Sequence, residues 1–147
     1  MPIAQHETVQ CTLALASDGR FGCSWNRDFV PLFDSVDAML EDVAAWGSLQ
    51  GWYFVGHASD TDPNELASLL GGLAVDEAAY GELSGWWRGH GIAMSFGRHL
   101  THQPESLPNV QFLADSAEGA RSIADALSGR LASTWPLERG KTVPRLP

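Results

Sequence analysis

Residues 8–26 read TVQCTLALASDGRFGCSWN, and the pairing register of this stretch decides the fold class. Val9, Cys11, Leu13 and Leu15 alternate with polar or small residues, and so do Phe21, Cys23 and Trp25. That is the period-two pattern of half-buried strands. Ser17-Asp18-Gly19 lies between the two runs. A two-residue Asp18-Gly19 loop would pair Ala14 with Cys23 and send the two apolar sets to opposite faces. A three-residue loop with Gly19 in the left-handed region pairs Leu13 with Cys23 and Cys11 with Trp25, and gathers all seven apolar side chains on one face. The second register is the expected one. It makes Cys11 and Cys23 diagonal neighbours at roughly 7 Å, too far for easy bridging.

Outward from this hairpin, Phe29–Phe33 continues as a short strand. Asp34 is expected to cap a helix over residues 35–46, with Asp37 as its box-like partner. Val36, Met39, Leu40, Val43 and Trp46 form an apolar stripe on that helix, and Gly47 is its stop signal. Residues 51–57, GWYFVGH, have the aromatic and β-branched content of a buried strand. Asp62-Pro63-Asn64-Glu65 opens a second helix with a cap, a proline at the first position and an acid at the third. Leu66, Leu69, Leu70 and Leu73 follow, interrupted by Gly71-Gly72.

Residues 74–88 are ambiguous, because Tyr80, Leu83 and Trp87 have helical spacing while Gly81 and Gly85 oppose it. Ile92, Met94 and Phe96 alternate as a strand, residues 100–109 are a loop, and Val110–Leu113 is another strand. Asp115-Ser116-Ala117-Glu118 opens a last helix whose stripe is Ala120, Ile123, Ala124, Leu127 and Leu131. The order implies an α+β domain over residues 1–131: a mostly antiparallel sheet, begun by the N-terminal hairpin, with about three helices packed mainly on one face. Residues 132–147 read as a basic, proline-containing tail with Arg139, Lys141 and Arg145.

At 147 residues the chain is one domain by size, long enough to bury its own core without staples. Apolar residues at 44% and charged residues at 18% fit a globular protein. No apolar run approaches a membrane span. The start MPIAQHETVQ lacks a basic and an apolar region of the secretory kind. Two cysteines make no disulfide framework and no CxxC pattern. A cytoplasmic protein with reduced thiols is the expectation.

Charge is distributed unevenly. Residues 28–87 contain no lysine or arginine and eleven carboxylates: Asp28, Asp34, Asp37, Glu41, Asp42, Asp60, Asp62, Glu65, Asp76, Glu77 and Glu82. The whole chain carries −9, so the remainder sums to +2. A segregated acidic field attracts basic partners and repels nucleic-acid phosphates and anionic membrane. The plainer reading is a solvated acidic surface in which Asp34, Asp62 and Asp76 serve as helix caps. Asp37 and Glu41 have no such local role. They are like charges at i,i+4, which costs a few tenths of a kcal/mol.

Other chemistry is sparse. His99 and His102 lack a zinc signature, and HExxH is absent. His57 with Asp60 or Asp62 resembles a base and its orienter, but no GxSxG or activated cysteine supplies a nucleophile. Gly71-Gly72 follows a helix and is no phosphate cradle. Adjacent Trp86 and Trp87 cannot both face one core in a regular element, so in a helix or strand one of them is expected to be at least half exposed beside Arg88 as an interface anchor; the plainer reading is that both fill a core corner through an irregular turn at residues 85–89. Together these readings describe a small acidic binding protein, immunity-like or anti-defence-like. It neutralises a basic, nucleic-acid-handling protein by charge mimicry, through Asp34, Asp37, Glu41, Asp42, Asp62, Glu65 and Trp86. No cofactor, metal, direct nucleic acid or membrane contact is expected, and the oligomeric state is open. The alternatives are an accessory subunit docking through apolar surface, and a small-molecule enzyme or binder using His57, Asp60 and His90.

Overall fold

The computed structural model describes residues 2–5, 12–25, 28–59, 61–98 and 108–134. The first four strands, β1 (Pro2–Gln5), β2 (Thr12–Leu15), β3 (Phe21–Trp25) and β4 (Asp28–Phe33), form an antiparallel meander in that order. The hairpin between β2 and β3 has the expected register. Leu13 stands opposite Cys23 and Leu15 opposite Phe21. Ala16 and Arg20 close the loop by a backbone hydrogen bond of 2.9 Å, which leaves Ser17-Asp18-Gly19 as the three loop residues. Gly19 has φ +89°, a conformation in which a Cβ is penalised. Asp18 accepts from the Arg20 backbone N–H at 3.1 Å and from its Nε at 2.7 Å, and the first of these bonds is the main reason its pKa is lowered. Phe21 and Cys23 are buried, Leu13 is half-buried and Leu15 is exposed at the rim. Val9 and Cys11 lie outside the described residues.

The second sheet has six antiparallel strands in the order β10-β5-β9-β8-β7-β6, where β5 is Tyr53–Ser59, β6 Ala74–Val75, β7 Gly85–Gly89, β8 Ile92–Gly97, β9 Asn109–Ala114 and β10 Ser133–Thr134. Three helices accompany it: α1 (Val36–Ser48), α2 (Pro63–Leu69) and α3 (Ala117–Ala126). The α+β class, the antiparallel sheet and the N-terminal hairpin are therefore as expected. The ambiguous stretch resolves into β6, a 3₁₀ turn at Glu77–Ala79, and β7. β7 and β8 are joined by the two residues His90-Gly91, both at positive φ (53° and 71°), which is the geometry of a type I′ hairpin turn. Residues 132–134, assigned to a tail by sequence, join the sheet: Ser133 and Thr134 pair with His57 and Gly56 of β5. Residues 135–147 lie outside the described ones.

Side chains alternate across the large sheet and feed two cores. On one face Trp87, Met94, Val110 and Phe112 pack with Leu66 and Leu70 of α2 and with Ala120, Ile123 and Leu127 around α3. On the other, Trp86, Ala93 and Leu113 pack with Ala45 and Leu49 of the α1 segment. Two helices thus share a face and α1 covers the opposite one. This overturns the expectation that one of the paired tryptophans is exposed. Both are buried, Trp86 at 0% and Trp87 at 1%, because both faces of the strand that carries them are covered.

The orientation of α1 also differs from expectation. Its cap is Ser35, whose Oγ accepts from Ala38 N at 3.1 Å, and not Asp34. The helix runs through Gly47 to Ser48. Its buried side consists of Ala38, Asp42, Ala45, Trp46 and Leu49, fully or partly covered, while Leu40 and Val43 are exposed at 56% and 46%. The apolar stripe read from the sequence is therefore split: Leu40 and Val43 face outward, Val36 and Met39 are half-buried, and Trp46 packs against the core. Accordingly, Leu40→Ala is expected to cost less than about 1 kcal/mol in urea denaturation, whereas Leu49→Ala, at a residue 1% exposed, costs about 2–5 kcal/mol. Equal losses at the two sites would place Leu40 back in the core.

Candidate functional site

The outward side of α1 is set by what holds its inward side. Trp86 Nε1 donates to Asp42 Oδ1 at 2.7 Å. The Trp86 ring meets Trp46 edge-on, with centroids 5.0 Å apart and planes at 80°. Small side chains at Ala38 and Ala45 let the helix approach this aromatic layer. Asp42 is consequently a buried carboxyl at the helix–sheet seam, and burial pushes its pKa up to about 6 against the opposing effect of the Trp86 hydrogen bond. Behind it lies a cavity of about 30 Å³ bounded in part by Ser84, Ser95 and Arg98, with room for one water molecule.

At the far end of α1, Arg88 occupies the place that a basic residue of the last helical turn would fill. Its Nη1 donates to Ser48 Oγ at 3.1 Å, its guanidinium stands 5.4 Å from the Trp86 ring centroid, and its Nε lies 3.5 Å from Asp76. A cation at a helix C-terminus is favourable. The end of the acidic stretch nearest Arg88 is thereby partly neutralised.

The N-terminal end of α1 carries a different environment. A groove of about 440 Å³ runs beside its first turns, lined by Asp34, Asp37, Leu40, Glu41, Tyr80 and Gly81 among others. Asp37 and Glu41 are exposed, and so is Tyr80 at 48%, its ring held edge-on to Trp87 with centroids 5.5 Å apart. Asp34 accepts from Leu83 N at 3.2 Å, which ties the end of β4 to the far wall. Glu77 and Glu82, sequence neighbours of the wall residues Ala78 and Gly81, are exposed as well. Among the described residues, none that lines this groove is basic. It is an acidic cleft with an apolar floor of leucine and tyrosine, suited to a cationic head on an aliphatic stem.

The structure brings together three of the seven residues singled out by sequence: Asp34, Asp37 and Glu41. Asp42 faces inward. Asp62 and Glu65 belong to α2 on the opposite face, where Asp62 caps the helix by accepting from Asn64 N at 2.9 Å and Glu65 pairs with Arg130 at 2.6 Å. The acidic stretch is therefore divided between two sides of the sheet and is not one continuous face. Trp86 is interior. Leu40, Val43 and Tyr80 join the site in its place; the stripe at 36, 40 and 43 was visible in sequence but was read as core.

His57 and His90 stand apart on the large sheet. His57 stands in register with Gln111 and Ser95, in the Ser133-paired part of β5, while His90 lies in the turn beyond Ile92 at the other end of β8. Asp60, His99 and His102 lie outside the described residues, among which no group of three metal-ligating side chains occurs. No helix among them is long and apolar enough to cross a membrane. Comparison of the chain with protein-family models, curated proteins and solved structures gives no match.

Asp42 makes a pH-dependent contribution of defined sign. Its folded-state pKa is raised from 3.8 to about 6, so the stability tied to its neutral form is complete below about pH 4 and is lost as the pH rises through 6. The loss is on the order of 3 kcal/mol. Asp42→Asn keeps an oxygen to accept from Trp86. It is expected to be more stable than the parent at pH 7.5, with the difference shrinking towards pH 4, as followed by thermal melting across that range. A constant difference between the two proteins over the whole range would refute the assignment.

Proposed function

We propose that this chain is an acidic protein-binding domain that docks a basic protein partner through the outer side of α1. Where the partner's cations serve nucleic acid, docking neutralises them by charge mimicry. The observation that carries the reading is the rotation of α1, which leaves Leu40 and Val43 exposed beside Asp37 and Glu41, with no cation among the described residues that line the adjoining groove. Carboxylates in such a place attract lysine and arginine and speed association, while exposed leucine, valine and tyrosine supply the desolvated contact that slows dissociation. The reading draws on three of the predicted acids, and the acids of α2 stand outside it.

The exposed apolar residues also favour a second reading, an accessory subunit held mainly by apolar contact with charge serving solubility. Salt separates the two. A partner recovered from the source cell is titrated against the parent and against the double variant Asp37→Lys plus Glu41→Lys, at low and at physiological ionic strength. The charge reading expects at least about tenfold weaker binding by the variant at low salt, mostly as a slower on-rate, with the gap narrowing as salt rises. Both sites face solvent, so folding survives. Unchanged affinity and unchanged salt dependence would transfer the role to Leu40 and Val43 alone.

A further inference from the structure

The outer side of α1 has a repeat that specifies more than charge. Val36, Leu40, Val43 and Gly47 are spaced four, three and four residues apart, the d-a-d-a spacing of a helix-packing seam. Leu40 and Val43 are exposed, Val36 is half-buried, and a Cβ at Gly47 would meet nothing within 4 Å. Among the described residues, nothing covers the seam at Leu40, Val43 and Gly47. Its flanks are unlike. Asp37 and Glu41 stand exposed on one side, and Met39 and Trp46, both partly covered, on the other. A helix surface has no spare backbone hydrogen-bonding groups along its length, so a partner reads it only through side-chain ridges, which another helix does best.

We propose that the occupant of this seam is an amphipathic α-helix of a protein partner. It lies along α1 with apolar residues over Leu40 and Val43 and with lysine or arginine on the one flank that faces Asp37 and Glu41. This rests on the docking reading above and adds the shape of the partner. A long basic side chain from that helix enters the groove with its stem against Leu40 and Tyr80 and its head among Asp34, Asp37 and Glu41. A second copy of the chain is a poor occupant, because it brings another net charge of −9 and the same acidic flank.

The test uses a synthetic peptide of about 18 residues, long enough to be partly helical, with leucine at seam positions, arginine on one flank and alanine and glutamine elsewhere. One control has the same composition with a central proline, and another has glutamate for arginine. Each is titrated against the full chain at low salt by fluorescence anisotropy. The arginine peptide is expected to bind, the glutamate peptide not to bind, and the proline to cost at least about tenfold. Gly47→Gln on the protein is expected to weaken the arginine peptide by about tenfold without lowering the melting temperature, since the new side chain enters open space and favours helix. Gly47 lies beyond the acidic groove, so a ligand that merely sits in the groove is indifferent to this change. Equal binding of the proline control, or indifference to Gly47→Gln, would overturn the helix while leaving acidic docking intact. If neither basic peptide binds at low salt, the docking reading itself fails. Sedimentation of the chain alone is expected to show a monomer; a dimer dissociated by Gly47→Gln would assign the seam to a second copy and overturn the proposal.

Discussion

The hydrogen bond from Trp86 Nε1 to Asp42 Oδ1, at 2.7 Å, fixes the rotation of α1 on the large sheet, and the character of the exposed surface depends on it. An indole N–H buried without an acceptor costs free energy comparable to a lost hydrogen bond, and so does a carboxyl taken from water. Asp42 satisfies the indole N–H, and that bond offsets part of the cost of burying the carboxyl. Once Asp42 points inward, the 100° step of the helix carries Ala38, Ala45 and Leu49 inward with it and turns Leu40 and Val43 out. The gain from burying a leucine is about 2 kcal/mol, of the same order as the penalty of leaving Trp86 and Asp42 unpaired. A helix with two competing faces can therefore settle with Leu40 and Val43 towards solvent while Asp42, Ala45, Trp46 and Leu49 meet the aromatic layer beneath.

This constraint also explains why the acidic stretch does not behave as one field. Carboxylates close in sequence are allotted by topology to different work. Asp42 is interior, Asp62 satisfies the first turn of α2, Glu65 has Arg130, and Asp76 has Arg88 at ion-pair distance. Exposed pairs of this kind contribute little to stability, but they neutralise the acids that make them. Among the described residues, Asp37 and Glu41 have no basic neighbour in the groove that they line. Local segregation, more than total charge, is what gives the N-terminal end of α1 its distinct potential.

What was legible in the sequence was what local chemistry decides. The hairpin register followed from Gly19 and the alternation around it, and the last helix from its start at Asp115-Ser116-Ala117-Glu118 and the stripe Ala120, Ile123 and Leu127, all three of which are fully buried. The start of α2 at Asp62-Pro63 was equally local. The orientation of α1 was not, because its stripe at 36, 39, 40, 43 and 46 competes with a second one at 38, 42, 45 and 49, and the choice rests on a partner 44 residues away. Nor was β7 legible. Flanking glycines and a helical spacing at Tyr80, Leu83 and Trp87 hid a strand whose signal was the His90-Gly91 turn. The burial of both tryptophans needed knowledge that the sheet is covered on two faces. The acids failed as a group for the same reason: their sequence proximity carried no information about which face each would occupy.

The surface that results couples charge to apolar area in a way that neither supplies alone. Asp37 and Glu41 repel each other by a few tenths of a kcal/mol on the free helix, and a cation placed between them relieves that repulsion as well as adding its own attraction. The gain is screened within about 10 Å at ordinary ionic strength, so by itself it gives fast, short-lived encounters. Exposed Leu40, Val43 and Tyr80 add non-polar contact that salt does not weaken, but without charge they would not choose among partners. Placed side by side, the carboxylates select and orient a basic surface and the apolar residues retain it. The helix can display both because its own attachment to the protein uses other residues, resting on Asp42, Ala45, Trp46 and Leu49.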